Sequence, residues 1–266
     1  MRSANWRKAF VGVSVIFILQ IASMTIPISI LKEKCEIGKQ SLAGNILYVG
    51  GIGPNNYTHI QDAIDDAENG DTVFVYHGTY RENIAMDKSI TLIGENKNIT
   101  FIDGNGLGDV VYISADNVVV SEFTIQNSGK KEGDAGIDVV SNQVTISRNM
   151  IANNGRNGIS FNGSSDSTIF HNIISNNRYA GIFLCNSSNN TIANNFIANQ
   201  TRSPYYSRGI YLKLSDNNII LNNTFTNNAG YDIFLIESPY TTVIGGYTYV
   251  KIPPYIVLHC NHLAIY

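Results

Sequence analysis

The sequence predicts an all-β chain wound as a right-handed parallel β-helix, and three observations predict it. An asparagine-studded sentence is written four times, as NMIANN from Asn149, NIISNN from Asn172, NFIANQ from Asn195 and NTFTNN from Asn223, at spacings of 23, 23 and 28 residues. A second step returns in the same rhythm at Gly136-Ile137, Gly158-Ile159, Gly181-Ile182, Gly209-Ile210 and Asp232-Ile233. A third apolar step lies between them, at Val144 to Ile146, Thr168 to Phe170, Thr191-Ile192 and Asn218 to Ile220. One period thus holds three short apolar runs punctuated by Asn, Ser and Gly, which is one solenoid coil of three strands. Helical repeats are disfavoured, since Asn, Ser, Thr, Gly and Ile are poor helix formers. The Leu framework of a leucine-rich repeat is missing.

The elements follow in order. In residues 1–31, Arg2, Arg7 and Lys8 precede an apolar stretch from Ala9 to Leu31. That pattern predicts a signal peptide or an uncleaved membrane anchor, with the rest of the chain outside the cytoplasm, secreted or held at the cell surface. A polar linker spans 32–45. Residues 46–71 carry the strand Ile46 to Val49 and an amphipathic helix, whose stripe is Ile60, Ala63, Ile64 and Ala67. Thr58 and Gln61 are expected to form its capping box, and the helix to cover the open first coil. The solenoid occupies 72–246 in about seven to eight coils. Its early strands are expected at Thr72 to Tyr76, Ser89 to Ile93, Ile99 to Ile102, Val110 to Ile113, Val118 to Val120 and Phe123 to Ile125. A C-terminal cap or tail fills 247–266.

Stacked coils bring equivalent residues about 4.8 Å apart, so buried amides can hydrogen-bond along the axis. Ladders are expected at Asn149, Asn172, Asn195 and Asn223, and at Asn153, Asn176, Asn199 and Asn227.

The stretch Ile60 to Gly106 contains Gln61-Asp62-Ala63-Ile64, Gly70-Asp71-Thr72, Gly78-Thr79-Tyr80-Arg81-Glu82-Asn83, Ile90 to Gly94 and Asp103-Gly104-Asn105-Gly106. Followed by Asn-rich coils, it resembles the NosD-type β-helix proteins of the wider pectin-lyase-like group, which is also described as carbohydrate-binding and sugar-hydrolase domains. The resemblance implies the fold and three functions: a glycan-binding or envelope module, a polysaccharide lyase or esterase, or a copper-maturation accessory protein. Gly78, Tyr80 and Glu82 also match the Gly-x-Tyr-x-Glu signature of pectin methylesterases. The paired carboxylates of those enzymes have no counterpart on the coils, which favours a non-catalytic module.

A net charge of -3 gives no basic footprint for nucleic acid. Cys35, Cys185 and Cys260 define neither a disulfide framework nor a zinc site. Two metals are weighed: calcium in the loop Asp103 to Asp109, for which a plain turn is the simpler reading, and copper at His259, Cys260 and His262, where strand alternation leaves at most two ligands per face. No cofactor is assigned. A lyase would require an acidic cluster such as Asp134 and Asp138 near Lys130 and Lys131.

Alternation turns the residue after each Gly-Ile step outward, which places Asp138, Phe183, Tyr211 and Phe234 on the surface, with Tyr112 one coil earlier. Stacked aromatics on an open face form a strip on which sugar rings can lie. The junctions Ser128 to Ala135 and Thr201 to Arg208, the latter carrying Tyr205 and Tyr206, enter the same face. The expected partner is therefore a glycan or another envelope component, with the membrane as a further partner through an uncleaved N-terminus.

Overall fold

A computed structural model describes residues 44–201 and 206–245. The signal or anchor segment, Tyr205, the 247–266 tail and the His259, Cys260, His262 group lie outside the described residues. Within them, every sheet is all-parallel. One sheet has nine strands, running from Ile46–Val49 to Thr242–Ile244; the other two have seven each, from Gly78–Tyr80 to Thr224–Thr226 and from Ile84–Met86 to Tyr231–Ile236. From Thr72–Val75 onward consecutive strands enter different sheets, so the chain winds through all three in about eight coils as a right-handed parallel β-helix. The early strands begin one or two residues later than several expected starts, at Thr91–Gly94, Thr100–Asp103 and Val119–Ser121.

Ile137, Ile159, Ile182, Ile210 and Ile233 stack in register and are buried, as are Ile146, Ile169, Ile192 and Ile220 on another wall. Together they make one continuous apolar core. β-branched side chains suit it, because each packs against its equivalents above and below on a pleated wall.

Asn149, Asn172, Asn195 and Asn223 form a buried ladder. The backbone N–H of each of the first three donates to Oδ1 of the next, at 2.9, 2.9 and 3.0 Å. Their Nδ2 groups donate to the same oxygens at 3.3, 3.0 and 2.9 Å.

The second ladder sits one residue later than expected. Asn153, Asn176, Asn199 and Asn227 are left-handed, with φ between 54 and 58°, and all four are exposed corner residues. Their successors make the ladder: Asn154 N–H donates to Asn177 Oδ1 at 3.1 Å, Asn177 N–H to Gln200 Oε1 at 3.0 Å, and Gln200 N–H to Asn228 Oδ1 at 3.3 Å. The reason is geometric. A left-handed residue reverses the chain and throws the next side chain inward, and Arg148, His171, Asn194 and Asn222 do the same ahead of the first ladder. Rows at Ser164, Ser187, Ser215 and Ser238, and at Ser167, Asn190 and Asn218, use the same device.

Helix α1 (Ile60–Asp66) buries Ile60, Ala63 and Ile64 over the first coil. The Thr58/Gln61 capping box does not form: the N-cap is His59, without a side-chain cap. Glu82 supplies the cap from the neighbouring coil, accepting from Ile60 N–H and Gln61 N–H at 3.0 Å each. A carboxylate at a helix N-terminus satisfies donors that no turn provides. Glu82→Ala is expected to lower stability by about 1–2 kcal/mol, read from the thermal midpoint; an unchanged midpoint would remove this capping role.

Candidate functional site

Outward positions on the sheet from Ile84–Met86 to Tyr231–Ile236 stack in columns. One column runs Tyr112, Asp138, Ser160, Phe183, Tyr211 and Phe234. A second, at the strand starts, runs Ala135, Asn157, Ala180, Arg208 and Tyr231. The two ends of this face differ in chemistry.

Toward the C-terminal end the face is aromatic but covered. Tyr211 and Phe234 are 9% and 7% exposed. They cluster with Ala180, Tyr179, Phe183 and Tyr231, and the Arg208 guanidinium lies 4.2 Å from the Phe234 ring centre and 4.8 Å from that of Tyr211. Tyr206 lies on the incoming junction, where its carbonyl accepts from Arg208 Nη1 at 2.7 Å. The expected open aromatic strip is therefore corrected. Tyr211 and Phe234 are largely buried beneath Arg208, because stacked outward rings and a cation lose water by covering one another. Phe183 remains half-buried, and Tyr112 is exposed at the other end.

What opens here is a cleft of about 310 Å³. Asp138, Asn157, Ser160 and Asn162 form its polar part, and Tyr179, Phe183 and Tyr211 its aromatic part; Arg156 and Lys213 flank it, and Glu132 and Gly133 of the Ser128 to Ala135 junction wall one side. Of the sequence-named residues, Asp138, Phe183 and Tyr211 meet in this cleft; Tyr112, Tyr206 and Phe234 do not line it. Arg156, Asn157 and Tyr179 are new. Tyr179 sits just ahead of the strand Ala180–Cys185, where alternation gives no signal of direction.

Asn157 is 2% exposed, and its Oδ1 finds no hydrogen-bond partner among the described residues. A buried acceptor left unpaired is costly unless a bound molecule donates to it. Burial pushes the Asp138 carboxyl up, partly offset by hydrogen bonds from Ser160 and the Val139 amide. Nearby Asp109 is pushed up to about 6, first by burial and then by the charges of Asp138 and Asp134, against a hydrogen bond from Ala135 N–H. An acid whose folded pKa is raised stabilises the fold at low pH and loses that contribution as pH rises from about 3.8 to about 6. Thermal midpoints measured from pH 4 to 7 should fall less steeply for Asp109→Asn than for the wild type; parallel curves would contradict this.

The esterase-like signature does structural work. Tyr80 hydroxyl donates to the Tyr76 carbonyl at 3.0 Å, and Glu82 caps α1. Asp103 spends its carboxylate on Asn105 N–H, Gln126 Nε2 and Asn127 Nδ2, at 2.9, 2.9 and 2.7 Å, which are turn and coil contacts.

Copper requires soft ligands gathered together. His59 and His77 lie apart beside Glu82 and Glu95, His171 packs edge-on against Phe170, and Cys185 lies in the cleft away from all three. No group of three or more His, Cys, Asp or Glu that could hold a metal occurs among the described residues. The described residues do not fit a copper centre.

Several solved structures share the fold. XylC in complex with xylose aligns with a TM-score of 0.56 at 13% identity, covering 76% of this chain and 65% of that one. Rice weevil pectin methyl esterase aligns at 0.55 and 14% identity, over 77% of this chain and 78% of that one. Pectate lyase Pel9A aligns at 0.52 and 14%, over 76% and 70%. At these identities the likeness is one of fold. No curated protein sequence matches. The family model described as "Periplasmic copper-binding protein (NosD)" matches residues 64–249. Its periplasmic description supports the extracytoplasmic placement read from the N-terminus. With that match spanning nearly every coil of the β-helix, the chain belongs to the NosD family.

Proposed function

We propose that this protein is an extracytoplasmic, non-catalytic β-helix module that binds a saccharide in the cleft between Asp138 and Tyr211. The observation that carries it is the pairing of half-buried rings with the buried, unpartnered Oδ1 of Asn157. A pyranose has an apolar face that stacks on an aromatic ring and hydroxyls that donate to such acceptors. Glycan-array screening followed by calorimetry tests this. Tyr179→Ala and Phe183→Ala should each weaken binding about tenfold. Binding that both variants leave unchanged would place the ligand elsewhere.

A second reading, polysaccharide cleavage by lyase or esterase chemistry, is favoured by one observation: Asp109 and Asp138 are neighbouring carboxyls whose pKa values are both raised. Release of unsaturated uronides or methanol from pectin-like substrates, lost in Asp138→Asn, would establish it over the first.

A further inference from the structure

Beside the cleft, and sharing Arg156 and Tyr179 with it, lies a smaller hollow of about 110 Å³ bordered by Lys130, Gly155 and Arg178. Three of its five lining residues are cations and none is acidic. In a chain whose net charge is -3, that convergence is not a by-product of composition.

Two acids share the loop with Lys130: Asp134, whose carboxylate accepts from Lys131 N–H at 2.7 Å, and Glu132. Among the described residues neither Lys130 nor Arg178 is paired with a carboxylate. Arg156 meets Glu132 at 3.4 Å, but that glutamate is 93% exposed, and such pairs contribute little. The Arg156 guanidinium also lies 4.9 Å from the centre of the Tyr179 ring, which fixes its plane.

The hollow is preformed. Ser128 N–H donates to Asn154 Oδ1 at 3.1 Å, Gly155 N–H to Ser128 Oγ at 3.1 Å, and Gly129 N–H to the Gly108 carbonyl at 2.8 Å. The loop backbone presses directly on Gly155: a Cβ there would stand 2.2 Å from the Gly129 carbonyl oxygen. Lys130 is thereby held against the corner that bears Arg156, while Arg178 occupies the equivalent corner one coil on, its N–H donating to the Asn154 carbonyl at 3.1 Å. Three cations on a rigid rim repel one another, and an oxyanion relieves that repulsion while accepting their hydrogen bonds.

The geometry points to an oxyanion subsite in this hollow, so that the bound saccharide carries a carboxylate, sulfate or phosphate on the unit next to the one stacked on Tyr179 and Phe183. The link to a saccharide rests on the function proposed above; the oxyanion subsite itself does not. Calorimetry on the full chain separates the two. Matched oligosaccharides bearing no charge, a uronate, a sulfate ester or a phosphate ester form one arm; inorganic sulfate and phosphate form the other. The acidic sugars should bind about tenfold more tightly than the neutral one, and their order identifies the anion. Arg178→Ala and Lys130→Ala alter exposed side chains and should abolish that preference while leaving neutral affinity in place. Equal binding of acidic and neutral sugars, or a preference that survives both variants, overturns the subsite and leaves the saccharide reading standing. If no sugar binds, the saccharide reading falls; sulfate binding lost in Arg178→Ala then upholds the subsite, and no sulfate binding removes it too.

Discussion

Replacing Asn172 by alanine is expected to lower stability by about 3–5 kcal/mol, although no apolar contact of consequence is lost. Asn172 Oδ1 accepts from Asn149 N–H at 2.9 Å, while its Nδ2 donates to the Ile146 carbonyl at 2.9 Å and to Asn195 Oδ1 at 3.0 Å. Truncation strands Asn149 N–H in an interior that water does not reach and removes the amide's buried bonds to the Ile146 carbonyl and Asn195 Oδ1. Each buried orphan costs roughly 1–3 kcal/mol, and the vacated amide leaves a void besides. The control is Asn176, a left-handed corner residue with φ of 56° whose side chain is exposed. Asn176→Ala should cost only about 1 kcal/mol of backbone strain, and Asn176→Gly close to nothing. Urea midpoints for the three variants decide the matter. Equal losses at positions 172 and 176 would show that the ladder contributes no more than the corners do.

Gly158→Ala is expected to be nearly as damaging, by about 3 kcal/mol, through steric crowding. A Cβ on Gly158 would lie 2.6 Å from the Gly181 carbonyl oxygen, 2.8 Å from Asn177 Nδ2 and 3.0 Å from Ile174 Cγ2. The first of these is backbone of the adjacent coil, which cannot retreat without stretching the register that pairs Ile159 with Ile182. Displacing Asn177 would disturb the second ladder as well. Gly163 separates the two reasons for glycine: its φ is +73°, yet nothing lies within 4 Å of a Cβ there. Gly163→Ala therefore reports conformational strain alone, about 1 kcal/mol. A Gly158→Ala loss no larger than that would refute the crowding argument.

Much of the fold was legible because a solenoid writes its period directly into the chain. The inward Ile of the Gly-Ile steps and the first Asn ladder could be read from spacing alone. The second ladder was misplaced by one residue because Asn serves both as a left-handed corner and as an inward amide, and spacing does not distinguish neighbours. Gln200 held the clue: it stands where the other sentences end in Asn, and a longer amide fits a buried rung better than a tight corner. The Ser rows were equally periodic and equally readable. The cap on α1 was not, because Glu82 reaches it across coils and no local pattern encodes that contact. At the site, alternation correctly turned Phe183, Tyr211 and Phe234 outward, but outward is not the same as exposed. Arg208 enters from a junction of irregular sequence and covers two of the three rings. Arg156, Asn157 and Arg178 lie at or beside corners, where strand alternation says nothing about direction.

The coil between Asn195 and Asn223 is 28 residues long, where its predecessors have 23, yet the ladder bond across it is 3.0 Å, against 2.9 Å across the shorter ones. The rise of the helix is thus independent of the contour length of its turns. The additional residues of this coil leave the frame unaltered, so the walls around the cleft and the rod that carries them are separate variables. Inserting or exchanging a corner segment can change what this face recognises while each coil keeps its place above the last.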